Sequence, residues 1–388
     1  MIKITNQSMC CGCTACTSIC PHDAIQMQPD SLGFLYPVAD ATKCVDCGLC
    51  DSICRFKSGS RDNVGVMAYA ARHKDPSQLH GSTSGAVFVA LSDYIINIGG
   101  VVYGAAFDEN FDVLHIRAED QTGRDRMRKS KYVQSSLGDT FRRVKDDLKD
   151  DRHVLFSGTP CQTDALRSYI GKHLSEKLYL VDIVCHGVPS PKVWKSYLEW
   201  LKEKFGSLPE SVDFRNKKYG WRTKKHGESF VFSGKDYFSA SFTHLFYSHF
   251  IHRESCGSCP YTNLTRPSDL TLADYWRKDK LCPDFAGDNM GCSLVISNSP
   301  KGGRLLDFIS DSIIMEETEI EDCMQLNMEE PTKLNPLRFR FQKDFLEHGV
   351  EYVIKKYGDQ SLGYRVRQTL NQMYYALRYR ARKILGRV

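Results

Sequence analysis

Two stretches near the N-terminus space their cysteines for one kind of chemistry. Cys10, Cys13, Cys16 and Cys20, with Pro21 directly behind, follow C-x2-C-x2-C-x3-C, and so do Cys44, Cys47, Cys50 and Cys54. A thiolate is a soft ligand suited to iron–sulfur chemistry. Three cysteines at intervals of three wrap a tight loop around one [4Fe–4S] cluster, and the fourth of each run is free to reach the other cluster. The spacing therefore predicts one set of ligands from Cys10, Cys13, Cys16 and Cys54, and a second from Cys44, Cys47, Cys50 and Cys20. Zinc sites more often use separated C-x2-C pairs. Cys11 is an extra thiol, read as a bystander beside Cys10. The second run ends in Cys54-Arg55 where the first ends in Cys20-Pro21.

These runs, with Asp23-Ala24-Ile25 and Gly33-Phe34 between them, resemble a bacterial two-cluster ferredoxin. The fold they imply is a small pseudo-twofold domain. Cysteines used this way need reducing surroundings, and Met1-Ile2-Lys3-Ile4-Thr5 lacks an apolar leader pattern, so the expected location is cytoplasmic. The chain has 388 residues, 41% hydrophobic and 26% charged, with a net charge of +5. That is ordinary globular composition with room for two or three domains, and the charge alone selects no partner. The longest apolar candidate, Gly85 to Phe107, is interrupted by Asp93, Asn97 and Gly99-Gly100, which excludes a membrane span there.

Downstream, the elements must deliver further thiols. Val154-Leu155-Phe156 reads as a buried strand running into the turn Ser157-Gly158-Thr159-Pro160-Cys161. A helix with Ala165, Leu166 and Tyr169 on one face follows, and then a second strand, 178–184, ending at Cys185-His186-Gly187. Strand–helix–strand of this length predicts parallel neighbours. Both cysteines then lie past the carboxyl ends of their strands, where α/β sheets bind ligands. Cys256 and Cys259 form a C-x2-C pair on a loop. Cys161, Cys185, Cys256 and Cys259 are thus candidate ligands of a third centre, with zinc as the other reading. Cys282, Cys292 and Cys323 show no ligand spacing, and His186, His249 and His252 receive no role.

Other segments could bind an anion. Ser82-Thr83-Ser84-Gly85 precedes a helix carrying Val87, Leu91, Tyr94 and Ile95, and a helix N-terminus can grip a phosphate. An ordinary capped helix is the plainer reading. Arg124, Arg126, Arg128, Lys129 and Lys131, then Tyr132, make either a solvated charged face or a basic loop for an acidic ligand. A basic, β-rich stretch covers 214–221. Residues 269–276 read as a strand, with Asp274 either at a cofactor or capping the strand end. No Walker or G-x-G-x-x-G loop is present, and nothing argues for nucleic acid.

The strings Gly158-Thr159-Pro160-Cys161-Gln162, 181–190 (VDIVCHGVPS), Lys131-Tyr132-Val133-Gln134-Ser135 and Cys256-x-x-Cys259 resemble the coenzyme F420 hydrogenase/dehydrogenase beta-subunit family, over about residues 67–345. The resemblance implies an FAD-binding α/β domain with its own [4Fe–4S] cluster on Cys161, Cys185, Cys256 and Cys259. It also implies flavin contacts at Ser84, Gly85, Lys131 and Tyr132, with Asp274 a further cofactor-side candidate. The expected class is a small α+β ferredoxin-like domain at 1–60 followed by an α/β flavin domain with a partly parallel sheet at 61–345. A basic tail at 346–388 completes the chain. In the tail Leu370, Met373, Tyr374, Leu377, Ile384 and Leu385 form an apolar stripe among arginines, suited to a partner or a membrane surface, or to packing on the domain. The expected function is electron relay between a ferredoxin- or F420-type carrier and a substrate. A non-catalytic electron-transfer subunit and a zinc-stabilised binding module are the competing readings.

Overall fold

The computed structural model describes residues 2–58, 67–223, 225–277 and 288–360, with 363 and 366. It opens on the cysteine loops and a hairpin of β1 (Ile25–Pro29) and β2 (Leu35–Ala39). The hairpin turn closes locally. The Asp30 carboxylate accepts from the Leu32 and Phe34 amides, both at 2.9 Å, and Gly33 takes φ 80°. A side chain at Gly33 would also meet the Lys192 backbone at 3.0 Å. Leu32, Phe34 and Tyr36 are buried in one cluster with Trp194, Tyr197 and Phe230 of the following domain. The N-terminal module therefore shares a core with its neighbour.

An eight-stranded mixed sheet forms the centre, in the order β13-β3-β12-β11-β7-β6-β4-β5. Its members are β3 (Met67–His73), β4 (Val101–Phe107), β5 (Val113–Ala118), β6 (Val154–Gly158), β7 (Leu178–Ile183), β11 (Leu270–Asp274), β12 (Ser293–Ser297) and β13 (Ile313–Thr318). β4, β6, β7 and β11 run parallel, and the flanking strands are antiparallel. Val154, Leu155 and Phe156 are wholly buried, as expected of a strand covered by helices on both faces. The strand–helix–strand unit forms as its pattern predicts, with Val154 opposite Leu178 and Gly158 opposite Asp182. Its helix, Pro160–Ile170, starts with Thr159 and Gln162 in a capping box and proline at the first turn.

A second sheet of β8 (Ser211–Phe214), β9 (Glu228–Phe232) and β10 (Lys235–Ser239) packs beside the helix Pro191–Phe205. The expectation of β structure over 214–221 is corrected here. The strand ends at Phe214, and Lys217–Tyr219 is a single 3-10 turn. Asn216 caps that turn by accepting from the Lys218 amide, a local bond that outcompetes strand pairing. The boundary drawn at 346 is also crossed. The helix Arg338–Tyr357 runs through it, kinks at Gly349 and buries Phe341, Phe345, Val350, Val353 and Ile354. The apolar stripe from Leu370 to Leu385 lies outside the described residues. Among the described residues, no helix is long and apolar enough to cross a membrane.

Candidate functional site

The fold gathers the cysteines into three sets. Cys10, Cys13, Cys16 and Cys54 lie within electrostatic reach of one another. Cys20, Cys44, Cys47 and Cys50 line one small cavity together with Ile2, Ile25 and Ala39. Cys161, Cys185, Cys256 and Cys259 are likewise mutual neighbours. Each set is brought together by different elements. Short turns of helix, Ala15–Ile19 and Leu49–Ser52, follow left-handed residues Thr14 and Gly48 and fold the N-terminal loops back. In the central set, Cys161 opens the helix after β6, Cys185 follows β7, and the 3-10 turn Glu254–Ser258 delivers Cys256 and Cys259.

Burial without countercharge makes these thiols reluctant to ionise. It pushes Cys256 up to about 11 and Cys259 to about 12, and Cys185 well above its ordinary value. Bound iron reverses that preference, because a coordinating thiol loses its proton outright. The surroundings already offer donors to sulfur: Gly187 N to Cys185 and Val188 N to Cys256, both at 3.4 Å, and Ala24 N to Cys20 at 3.4 Å. Such bonds are one of the levers on a cluster's reduction potential. None of the described cysteines is in a disulfide, and Cys292 and Cys323 are buried in the core. Cys282 lies outside the described residues.

Two buried residues that the spacing did not single out hold the sets in place. Arg253 is fully buried. It donates to the Cys10 carbonyl at 2.8 Å, the Leu35 carbonyl at 2.9 Å and Gln134 Oε1 at 3.0 Å. It also lies over the Tyr36 ring at 4.2 Å. Its positive charge lowers the thiols of Cys10, Cys13, Cys161 and Cys256, although burial raises Cys10 on balance. His252, also fully buried, pairs its Nε2 with the His186 carbonyl at 3.0 Å and closes against Gly187. Cys11, read as a bystander, is instead in hydrogen-bond contact with both Cys13 and Cys161.

A second feature lies beyond Cys185. A cavity of about 360 Å³ is lined by His80, Ser82, Thr83, Lys129, Asp213, Arg215, Asn216, Lys217, Lys218 and Met290. Four of these are cations. The five flavin-side candidates stand around it in different ways. Ser84 Oγ donates to the Cys292 carbonyl at 2.8 Å, and its own carbonyl accepts from Lys217 Nζ at 2.8 Å. At Gly85 an added Cβ would sit 2.3 Å from the Ala71 carbonyl, so only glycine lets the chain pass there. The helix then begins at Val87 behind Ala86 in the left-handed region, with no side-chain cap. Serine or threonine capping, expected from the sequence, does not occur. Lys131 turns inward, giving its Nζ to the carbonyls of Arg128 at 2.7 Å, Arg126 at 3.2 Å and Lys129 at 3.3 Å. Burial pulls it down to about 7. Tyr132 stacks on Phe246 with ring centres 4.7 Å apart. Asp274 pairs with Arg215 and accepts from Trp221 Nε1 at 2.8 Å.

Asp274 is thus a brace for Arg215, whose guanidinium faces the Trp276 ring at 5.2 Å. Two polar atoms of the cavity wall, Arg215 Nη2 and Asp213 Oδ1, are buried without a hydrogen-bond partner. Buried polar groups are normally satisfied, so an orphaned guanidinium nitrogen in a cationic cavity fits an anionic ligand. Burial also lowers Lys217 to about 7. His186, next to Cys185, lies within reach of Asp274 and Arg215, so the central cysteine set adjoins the cavity. The basic loop is no solvated face. Arg124 is 2% exposed and paired with Asp93 at 2.9 Å, and Arg128 donates to the Gln78 carbonyl at 2.8 Å.

Thiol sets and a basic cavity, gathered at the carboxyl edge of parallel strands, outline a redox protein. Residues 151–323 match the family defined by the C-terminal part of the coenzyme F420 hydrogenase/dehydrogenase beta chain, and this stretch belongs to that family. Among solved structures, a chain of the F420-reducing [NiFe] hydrogenase complex from Methanosarcina barkeri is similar at 16% identity. That alignment covers 76% of this chain and 91% of that one, with a TM-score of 0.46. No curated protein matches this chain in sequence.

Proposed function

We propose that this protein is an iron–sulfur flavoprotein oxidoreductase that relays electrons between a carrier of the ferredoxin or F420 type and a substrate. The observation that carries this is the continuity of the site. The Cys20/44/47/50 set, the Cys10/13/16/54 set, the Cys161/185/256/259 set and the basic cavity lie in series, joined at Cys13–Cys11–Cys161 and at Cys185–His186–Asp274/Arg215. The donor chemistry fits [4Fe–4S] clusters, since each set offers four soft thiolates and backbone amides aimed at sulfur. Zinc fits less well. Zinc–sulfur bonds of about 2.3 Å draw four thiolates onto a point, and among the described residues no group of three or more His, Cys, Asp or Glu converges in that way.

A flavin, when bound, exchanges two electrons with a substrate and single electrons with the clusters. Arg215 and Lys217 would hold its anionic part, with the uncapped amides at the start of the Val87–Asn97 helix beside them. Asp274 fixes Arg215, Gly85 lets the helix start approach β3 and β12, and Arg253 binds the N-terminal module against the central set.

The test is elemental and flavin analysis of protein purified without oxygen. Three cubanes correspond to about 12 iron atoms per chain, and the expected result is that value with about one FAD. About eight irons with zinc and no flavin would sink the reading for the central domain.

A further inference from the structure

Cys11 is buried, 7% exposed, in a small cluster with Phe56 and Tyr261, bordered by Cys13, Cys54, Cys161 and Cys259. Its backbone is pinned, because the Cys11 carbonyl accepts from Gln134 Nε2 at 2.9 Å and the preceding carbonyl accepts from Arg253. Tyr261 is held by its hydroxyl on Asp164 at 2.8 Å, which closes the other side. In this setting the Cys11 thiol contacts two sulfurs that belong to different ligand sets, Cys13 of the N-terminal module and Cys161 of the central domain.

We propose that the Cys11 thiol is a hydrogen-bond donor shared by the two iron–sulfur centres. It is a positioning residue that couples their reduction potentials and fills the gap an electron crosses between them. The inference rests on the cluster assignment above. Its chemistry follows from proton bookkeeping. Cys13 and Cys161, once they are ligands, carry no proton, so the only S–H in the contact is that of Cys11. Hydrogen bonds to cluster sulfurs are among the determinants of potential. One electron leaves one centre and arrives at the other, and Cys11 keeps both its proton and its oxidation state. No further reactant is needed.

The experiment uses the full chain, purified without oxygen, as wild type, Cys11→Ala and Cys11→Ser. Iron content is measured first, followed by potentiometric titration monitored by electron paramagnetic resonance. Wild type with about 12 irons upholds the underlying assignment, and a markedly lower count overturns that assignment and this inference with it. With iron retained in Cys11→Ala, the expected result is that two of the three centres shift to more negative potential and the third stays put. The expected size is a tenfold change in the reduced-to-oxidised ratio at fixed potential, about 59 mV for one electron. Cys11→Ser, whose hydroxyl still donates, should recover part of both shifts. A shift of one centre only, or of none, overturns the sharing. Loss of about four irons in both variants overturns it too, by making Cys11 a ligand.

Discussion

Replacing Arg253 with methionine should detach the N-terminal module from the central domain. The guanidinium is wholly buried and makes three hydrogen bonds of 2.8 to 3.0 Å, two of them to the carbonyls of Cys10 and Leu35 in the N-terminal module. Net hydrogen bonds from a charged donor contribute about 1.5–3 kcal/mol each. Ring contact at a desolvated site adds roughly 2 kcal/mol, here at Tyr36. These terms do not add fully, because methionine recovers apolar contact and water reaches the freed carbonyls. About 3–5 kcal/mol is the expected loss, the scale seen when a buried charge network is broken. Leu32, Phe34 and Tyr36 would still pack on Trp194, so the module should loosen before the central domain unfolds. The assay is urea unfolding of the holoprotein followed by visible absorbance, which reports the clusters, and by tryptophan fluorescence, whose buried reporters Trp194 and Trp221 lie in the central domain. In wild type the two transitions should coincide. In Arg253→Met the absorbance midpoint should fall well below the fluorescence midpoint. Coincident transitions at the wild-type midpoint would refute the assignment of Arg253 as the clamp.

Three further outcomes are expected. Cys185→Ala should lose about four of some 12 irons and keep the remaining eight, read by iron analysis; loss of nearly all the iron would mean that the sets are not separate centres. Lys217 is depressed by burial to about 7, so its charge is present below that pH and lost above it. Affinity for an anionic flavin should therefore fall as pH rises from 6 to 8, by flavin-fluorescence titration, and Lys217→Gln should flatten the profile. The same depression means that the unfolded chain binds more protons between about 7 and the ordinary lysine value, so this group lets stability rise with pH across that window. Gly85→Ala places a Cβ 2.3 Å from the Ala71 carbonyl and 2.6 Å from the Ser293 amide. It should cost about 1–3 kcal/mol by overpacking, measured as a lower urea midpoint, with weakened flavin binding because the helix start is displaced.

The spacing of the cysteines determined much of this protein by itself. Intervals of three within a loop force thiols to converge whatever surrounds them, so Cys10, Cys13 and Cys16 announce their role locally. The buried run Val154-Leu155-Phe156, the Thr-Pro helix start and the return strand are equally local, which is why pattern alone sets Cys161 and Cys185 at one sheet edge. The second sheet was harder. Asn216 closes a turn where composition alone suggested strand, and a single side-chain hydrogen bond carries no periodicity. Only the tertiary structure decided the rest, because the groups concerned are far apart in the chain. Arg253 sits between His252 and Glu254 with no motif to mark it, and its partners lie at Cys10, Leu35 and Gln134. Asp274 becomes a brace only when Arg215 and Trp221 arrive from the other sheet's connection. Cys11 looks like a spare thiol in sequence. It gains a role when the fold brings Cys161 against it from a distant part of the chain and buries the contact.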